Sequence, residues 1–223
     1  MSDKHLHSVI SNGSNHLQTI DEQAMTELGA QLARFSIKGS IFYLDGDLGA
    51  GKTTLVRGFL RALGYEGAVK SPTFTVVEPY NLDNNKLYDY NELYDDLKLD
   101  GNDLDMVQKE TPSRVQKRAQ TRADLVHTHL ESDQSLKIYH FDLYRLEEPE
   151  ELEYMGIRDY LDGQAIALIE WPEKGYGVLP EADVLIKITH QKQGRGVELL
   201  SQSENGANIV SKLISVSARQ AEL

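Results

Sequence analysis

The chain has 223 residues, of which 40% are hydrophobic, so it can bury one sizeable core, and no stretch of it reaches the apolar length of a membrane span. Its 35 acidic and 23 basic residues give a formal charge of −12, which opposes unaided binding to a nucleic-acid backbone. The chain has no cysteine and begins without a basic region followed by an apolar stretch, which excludes disulfides and predicts a cytoplasmic protein with no membrane partner.

The first predicted helix follows Thr19-Ile20-Asp21-Glu22, which has the pattern of a capping box. Apolar residues then recur at the spacing of one helix face. We expect this face to lie in the core. Its members are Met25, Leu28, Leu32 and Phe35.

Strand-like and helical runs alternate through the rest of the chain. The predicted strands are 41–44, 73–77, 137–144, 165–170, 184–189 and 197–200, and the predicted helices are 54–63, 150–155 and 207–218. A short polar turn joins the last two strands, which favours an antiparallel hairpin and therefore a mixed sheet. Strands that alternate with helices around the pattern G-x-x-x-x-G-K-T at 46–53 predict a three-layer α/β/α P-loop NTPase fold, formed by one domain that spans 1–223.

Residues 83–136 differ in composition from their surroundings. The first half, 83–110, holds nine acidic and three basic residues, a local net charge of −6, and is predicted to be a loosely folded surface segment. The second half has a cap-like Thr111 followed by Pro112, which predicts a helix. We expect an inserted acidic and helical surface segment.

The pattern G-x-x-x-x-G-K-T occupies 46–53, between a predicted strand and a predicted helix. In such a loop the backbone N–H groups surround a phosphate chain, and the lysine, Lys52, neutralises the outer phosphates. The Thr53 hydroxyl is placed for Mg²⁺. The expected nucleotide-binding residues here are Asp47, Leu48, Gly49, Ala50, Gly51, Lys52, Thr53 and Thr54.

Two carboxylates end predicted strands and are candidates for the chemistry. Glu170 follows the apolar run 165–169, a position beside the phosphate loop that suits Mg²⁺ contact, although an exposed strand end is the alternative. Asp142 ends another apolar strand and is a candidate for orienting the attacking water or the water shell of the metal. Its alternative role is an ion pair with Arg145.

Three further residues complete the candidate site. Thr73, in Ser71-Pro72-Thr73-Phe74-Thr75, is placed where a switch segment brings a hydroxyl near the γ-phosphate, or else in a simple proline-containing turn. Trp171, the only tryptophan, is expected either beside the nucleotide or in the core. His140 is interpreted as a structural residue of a strand rather than a general base.

ATP is the preferred nucleotide because the chain has no Asp-x-x-Gly or Asn-Lys-x-Asp pattern of the kind that GTPases use. Two other functions stay open at this point. One is a small-molecule kinase in which 83–136 serves as a lid. The other is a non-enzymatic scaffold that responds to nucleotide binding alone.

Four ordered motifs resemble the TsaE (YjeE) family: Gly46-Asp47-Leu48-Gly49-Ala50-Gly51-Lys52-Thr53-Thr54, then Ser71-Pro72-Thr73-Phe74-Thr75, then Tyr139-His140-Phe141-Asp142-Leu143-Tyr144-Arg145, then Glu170-Trp171-Pro172. The likeness covers roughly 17–82 and 137–215. The segment 83–136 departs from the family pattern, because ordinary members of this family are compact and lack such a segment.

The resemblance implies an ATPase that supports threonylcarbamoyl modification of adenosine in tRNA. It implies docking on the complex of the transferase TsaD with TsaB, so that tRNA is contacted only indirectly. It also implies phosphate binding by Lys52, Mg²⁺ contact by Thr53 and Glu170, and a catalytic role for Asp142, with Thr73 in a switch-like segment.

Overall fold

The computed structural model of the protein describes residues 15–19, 21–83 and 135–220. Seven strands are present in this part of the chain: β1 (His16–Thr19), β2 (Ile41–Asp45), β3 (Val77–Asp83), β4 (Ser135–Asp142), β5 (Ala165–Glu170), β6 (Val184–His190) and β7 (Arg195–Ser201). The helices are α1 (Glu22–Phe35), α2 (Lys52–Ala62), α3 (Glu151–Tyr154), α4 (Ile157–Tyr160) and α5 (Glu204–Gln220), with a short 3-10 helix at Pro172–Gly175.

The strands form one sheet in the order β1-β7-β6-β2-β5-β4-β3. The four central strands, β6, β2, β5 and β4, run parallel, while β3 on one side and β7 on the other are antiparallel to their neighbours. The predicted mixed sheet and the predicted hairpin of the last two strands are confirmed. Because the parallel strands end at one edge, the segments that follow β2, β4 and β5 lie side by side.

The central strands are apolar because both faces of the sheet are covered. Every residue of β5 is buried. On one face, side chains of α1, α2 and α5, among them Met25, Phe59 and Leu213, pack in the larger core cluster. On the other face the smaller cluster contains Leu152 of α3 and Ile157 of α4. The predicted three layers are therefore present.

The backbones of helices α1 and α2 lie very close together, with no side chain between them at two glycines. A Cβ added at Gly29 would lie 2.1 Å from the backbone oxygen of Leu55, and one added at Gly58 would lie 2.0 Å from that of Thr26. Glycine at both positions permits this close approach. The backbone of α2, which follows the phosphate-loop motif, is thereby fixed against α1.

The predicted strand 73–77 is wrong over most of its length, because β3 begins only at Val77. The N–H groups of Thr75 and Val76 both donate to the carbonyl oxygen of Pro72, at 3.1 and 2.7 Å. Val76 has a positive φ of 64°. A turn that begins at this proline therefore replaces the first residues of the predicted strand.

The predicted capping box is also corrected. Thr19 belongs to β1, a strand that the sequence reading missed, and pairs with Arg195 of β7. The N-cap of α1 is Asp21, whose carboxylate accepts a hydrogen bond from the N–H of Ala24 at 2.9 Å. Asp21 satisfies one of the free N–H groups at the helix start, as the residue types favoured at N-caps do.

The ends of β3 and β4 face each other, with Asp83 opposite Ser135. The intervening 84–134, which includes most of the predicted insert and its predicted helix, lies outside the described residues. Among the residues that the structure does describe, none of the helices is long and apolar enough to cross a bilayer.

Candidate active site

The phosphate-loop motif connects β2 to α2 at the carboxyl edge of the parallel strands. A Cβ at Gly46 would lie 2.4 Å from the backbone oxygen of Ile188 in β6, so only glycine fits there. Gly49 and Gly51 have φ values of 77° and 111°. Gly51 is the N-cap of α2 and provides no side-chain cap, so the N–H groups of the first helical turn are available to an anion.

Lys52 turns back toward its own loop. Its ammonium group donates to the carbonyl oxygens of Gly46 and Asp47, the latter at 3.0 Å, and lies 4.0 Å from the ring centroid of Trp171. Only 5% of this residue is exposed. Burial lowers the pKa of the Lys52 ammonium below its usual value, while the carboxylates of Glu170 and Asp142 act in the opposite direction. One cation therefore interacts with both predicted acidic residues.

Glu170 lies at the centre of a hydrogen-bonded chain. Its Oε1 accepts a hydrogen bond from the Thr53 hydroxyl at 2.8 Å and is 2.9 Å from Nε2 of His140. His140 and Glu170 are both buried. The alternative of an exposed strand end for Glu170 is thus excluded, and His140 has a defined structural partner.

Asp142 holds the predicted switch segment. Its Oδ2 accepts hydrogen bonds from the hydroxyls of Ser71 and Thr73, the latter at 2.5 Å, and its Oδ1 accepts one from the N–H of Tyr144 at 3.1 Å. The alternative ion pair with Arg145 is wrong. That guanidinium instead lies 4.1 Å from the ring centroid of Phe74.

The remaining predicted residues surround this cluster. Asp47 contributes its carbonyl oxygen, which also accepts a hydrogen bond from the N–H of Ala50 at 3.1 Å. Leu48 is 75% exposed at the tip of the loop, and Thr54 lies in the first turn of α2. Trp171 stands beside Lys52, packs on Tyr144 at 5.0 Å between ring centroids, and is partly buried against the smaller core cluster.

Sequence reasoning gave no role to Ser71, to Arg195 or to the contact between His140 and Glu170. Ser71 could have been predicted from the sequence, because it lies two residues from Thr73 and also carries a hydroxyl. Both hydroxyls can therefore reach the same carboxylate. Arg195 had no local signal, since its guanidinium bonds the carbonyl oxygens of Gly49 and Ala50, about 145 residues earlier. Only the sheet topology brings these groups together.

The donor set near α2 fits Mg²⁺. Thr53 and Glu170 supply hard oxygen atoms 2.8 Å apart, and Mg²⁺ is usually held by one or two such groups together with substrate phosphates. Among the described residues there is no group of three or more His, Cys, Asp or Glu side chains that could enclose a metal. A metal held jointly by protein and phosphate oxygens is the arrangement that these residues suit.

The mixed sheet, the glycine-rich loop after β2 and the helix that follows it define a protein of the P-loop NTPase fold class. A crystal structure of YdiB from Bacillus subtilis has this fold. Its TM-score against this chain is 0.57, with 21% identity and coverage of 89% of this chain and 93% of that one.

The chain belongs to the TsaE family. The family model described as threonylcarbamoyl adenosine biosynthesis protein TsaE matches residues 19–110 and 123–197. A relative from Haemophilus influenzae, named tRNA threonylcarbamoyladenosine biosynthesis protein TsaE, is 39% identical over 196 residues, which cover 86% of this chain and 92% of the relative. A relative of the same name from Bacillus subtilis is 28% identical over 171 residues, with 77% and 75% covered.

The predicted resemblance is therefore confirmed at the level of the family. The match to the family model is interrupted at 111–122, which lies within the predicted insert 83–136. Both matched segments contain residues of the candidate site, Lys52 and Thr73 in the first, Asp142 and Glu170 in the second.

Proposed function

We propose that this chain is a Mg²⁺-dependent ATPase that supports threonylcarbamoyladenosine modification of tRNA by acting on the complex of the transferase TsaD with TsaB. The observation that carries the proposal is the convergence of three groups at one edge of the sheet: the loop with Lys52, the pair Thr53 and Glu170, and Asp142 with its two hydroxyl donors. Phosphoanhydride hydrolysis needs a phosphate cradle, a metal site and a group that positions water.

The phosphate chain is held by the first N–H groups of α2 and by Lys52. In the described structure Lys52 bonds the carbonyl oxygens of Gly46 and Asp47, and phosphate oxygens are stronger acceptors for an ammonium group than neutral carbonyls are. Burial lowers the pKa of this ammonium group, and a bound anion acts in the opposite direction, as the nearby carboxylates do. Lys52 is thus suited to hold an incoming phosphate.

Mg²⁺, when bound, neutralises charge on the phosphate oxygens. Thr53 and Glu170 would hold it, and His140 fixes the carboxylate of Glu170 from behind. Because His140 is buried and close to Oε1, the carboxylate cannot rotate freely. The contribution of the chain is therefore an oriented pair of oxygen ligands.

Asp142 is the group that positions the attacking water. Two hydroxyl donors occupy Oδ2, whereas Oδ1 accepts the N–H of Tyr144 and has a further lone pair. A carboxylate held from two sides can accept a hydrogen bond from water in a defined direction. The shared oxygen also links Asp142 to Thr73, so a movement of the switch segment would change the position of the carboxylate.

The role in tRNA modification rests on family membership and on the names of the relatives. A formal charge of −12 is compatible with action through a protein partner, because such a chain need not hold tRNA itself. TsaD and TsaB are the partners that we expect.

The deciding experiment is ATP hydrolysis by the purified full-length chain, alone and with TsaD, TsaB and tRNA, with Lys52→Ala as the blank. We expect slow Mg²⁺-dependent hydrolysis that the partners accelerate. Transfer of phosphate to a metabolite with little hydrolysis would overturn the ATPase assignment in favour of a kinase. Hydrolysis that does not respond to the partners would overturn the proposed docking.

A further inference from the structure

Arg195 is the first residue of β7, and its side chain reaches the phosphate loop. Its Nε donates to the carbonyl oxygen of Ala50 at 3.0 Å and its Nη2 to that of Gly49 at 3.2 Å, while Nη1 donates to its neighbour Gly194 at 2.9 Å. We propose that Arg195 is a positioning residue that sets the conformation of this loop. The proposal rests on the proposed nucleotide-binding function.

The guanidinium matches two successive carbonyls of the loop. Its donors lie in one plane in a rigid fork, so a single side chain can hold both oxygens at once. A lysine at the same position would present one point charge and could not reproduce this geometry. The contact is therefore specific for arginine.

Packing holds the side chain of Ala50, which is buried in the core, but it does not hold the neighbouring Gly49. A Cβ added at Gly49 would meet nothing within 4 Å, and Gly49 and Gly51, on either side of Ala50, have positive φ values. Peptide units between glycines rotate easily because glycine has few conformational restrictions. The Arg195 bonds remove this freedom from outside the loop.

The orientation of the carbonyls determines that of the N–H groups. In a planar trans peptide the C=O of one residue and the N–H of the next point in opposite directions. Holding the oxygen of Ala50 toward Arg195 therefore turns the N–H of Gly51 to the opposite side of that peptide unit. Holding the oxygen of Gly49 supports the turn in which the N–H of Ala50 donates to Asp47.

The β6–β7 hairpin is attached to the loop at two levels. Near the start of the loop, Gly46 meets the backbone of Ile188 so closely that a Cβ would lie 2.4 Å from its oxygen. Near the middle, Arg195 holds Gly49 and Ala50. The turn of the hairpin is itself tied to β1, because the side-chain amide of Gln18 donates to the carbonyl oxygen of Gln193 at 3.1 Å.

Within the described part of the chain, every polar contact of Arg195 is to a backbone carbonyl. Its positive charge is therefore not neutralised by a carboxylate there, and it adds to the positive potential of the loop. The charge and the hydrogen-bond geometry of Arg195 can be tested separately, because a lysine would keep the positive charge and lose the paired bonds to the two carbonyls. This difference is the basis of the test.

The test compares Arg195→Lys and Arg195→Met with Lys192→Met in the full-length chain. Lys192 is exposed in the turn of the same hairpin, so its replacement is a matched loss of one positive charge. ATP binding is followed by the fluorescence of Trp171, which lies 4.0 Å from the Lys52 ammonium. Amide hydrogen exchange across 46–54 is measured without nucleotide, and melting temperatures establish that each variant is folded.

We expect both Arg195 variants to bind ATP about tenfold more weakly than Lys192→Met, roughly the loss of one hydrogen bond. We also expect a raised KM with a kcat that changes by less than about twofold, and faster exchange in the loop. Arg195→Lys should be nearly as impaired as Arg195→Met. Affinity and exchange like those of Lys192→Met in both variants would overturn the proposal.

The two proposals fail in different ways. If the unaltered protein binds no nucleotide, the proposed function falls, and exchange in the nucleotide-free loop still decides the role of Arg195. If the unaltered protein binds ATP and Arg195→Lys binds it equally well with unchanged exchange, only the positioning role is overturned. Should Arg195→Met fail to fold, Arg195→Lys carries the comparison alone.

Discussion

Two halves of the candidate site are held in different ways. The phosphate half, Lys52 and Thr53 with Glu170, lies on α2 and β5 and is fixed by buried groups: Lys52 and Glu170 are nearly inaccessible, and His140 is fully buried behind them. The switch half, residues 71–75 with Asp142, begins in an exposed turn where Phe74 is 82% exposed. In this half only Pro72 and Asp142 are buried.

This contrast indicates a division of labour. The phosphate half is fixed by close backbone contacts, such as that of Gly46 with Ile188, so its geometry exists before a ligand arrives. The switch half depends on two hydroxyl bonds to a single carboxylate oxygen, which can break and re-form. Changes in the first half should therefore affect nucleotide binding, and changes in the second should affect turnover.

The largest effect is expected from Lys52→Ala. Loss of a charged hydrogen bond of about 1.5–3 kcal/mol should weaken ATP binding roughly 10- to 100-fold and largely abolish hydrolysis. Binding is measured by titration and hydrolysis by phosphate release, with the exposed Lys38→Ala as the control for charge. Normal ATP affinity in a folded Lys52→Ala protein would break the assignment of this residue to the phosphate half.

Asp142→Asn should affect turnover, which is assigned to the switch half, without affecting ATP binding, which is assigned to the phosphate half. We expect kcat to fall about 100-fold, the usual order for loss of a catalytic carboxylate, while the Kd for ATP changes by less than about threefold. The control is Asp159→Asn, which removes the same charge from an exposed position of α4. An equal loss of ATP and Mg²⁺ binding would instead place Asp142 with the metal ligands.

The phosphate half was largely predictable because its signals are local. The spacing of the loop motif fixes a strand before it and a helix after it, and an apolar run that ends in Glu170 puts a carboxylate at the same sheet edge. Parallel strands then place Asp142 opposite Glu170. These relations need only strand direction, which the alternation of strands and helices supplies.

The switch half and the edges of the sheet depended on distant contacts. The false strand over 73–76 had β-type residues, but backbone bonds to Pro72 outweighed their propensity. Strand β1 has only four residues and pairs with β7, about 180 residues later. Its local sequence is therefore too short to predict a strand. Arg195 was missed because its contacts are likewise distant in the sequence.

His140→Leu tests how rigidly Glu170 is held. Nδ1 of His140 is buried and has no hydrogen-bond partner among the described residues, so leucine removes one unsatisfied polar atom, and Glu170 keeps the Thr53 hydroxyl as a donor. The loss of the contact with Glu170 should raise the Mg²⁺ concentration needed for half-maximal hydrolysis about 10-fold or more. The measurement is a Mg²⁺ titration of hydrolysis.

His190→Leu, in an exposed position at the end of β6, is the control for that titration, and His140→Gln, which keeps a donor, should recover part of the loss. A melting temperature that falls by many degrees together with an unchanged Mg²⁺ requirement would show that His140 serves the core alone.

The smallest effects are expected for Thr73→Val and Ser71→Ala, because the two hydroxyls share Oδ2 of Asp142 and each can satisfy it when the other is absent. Either change alone should lower kcat about threefold, so independent effects would multiply to a loss of about tenfold. The double variant should lower kcat by well over this amount, with unaltered ATP affinity. A double-mutant cycle of kcat measures this coupling. Strictly multiplicative effects would mean that the hydroxyls act separately, and then Asp142 would be positioned by its own strand rather than by the switch segment.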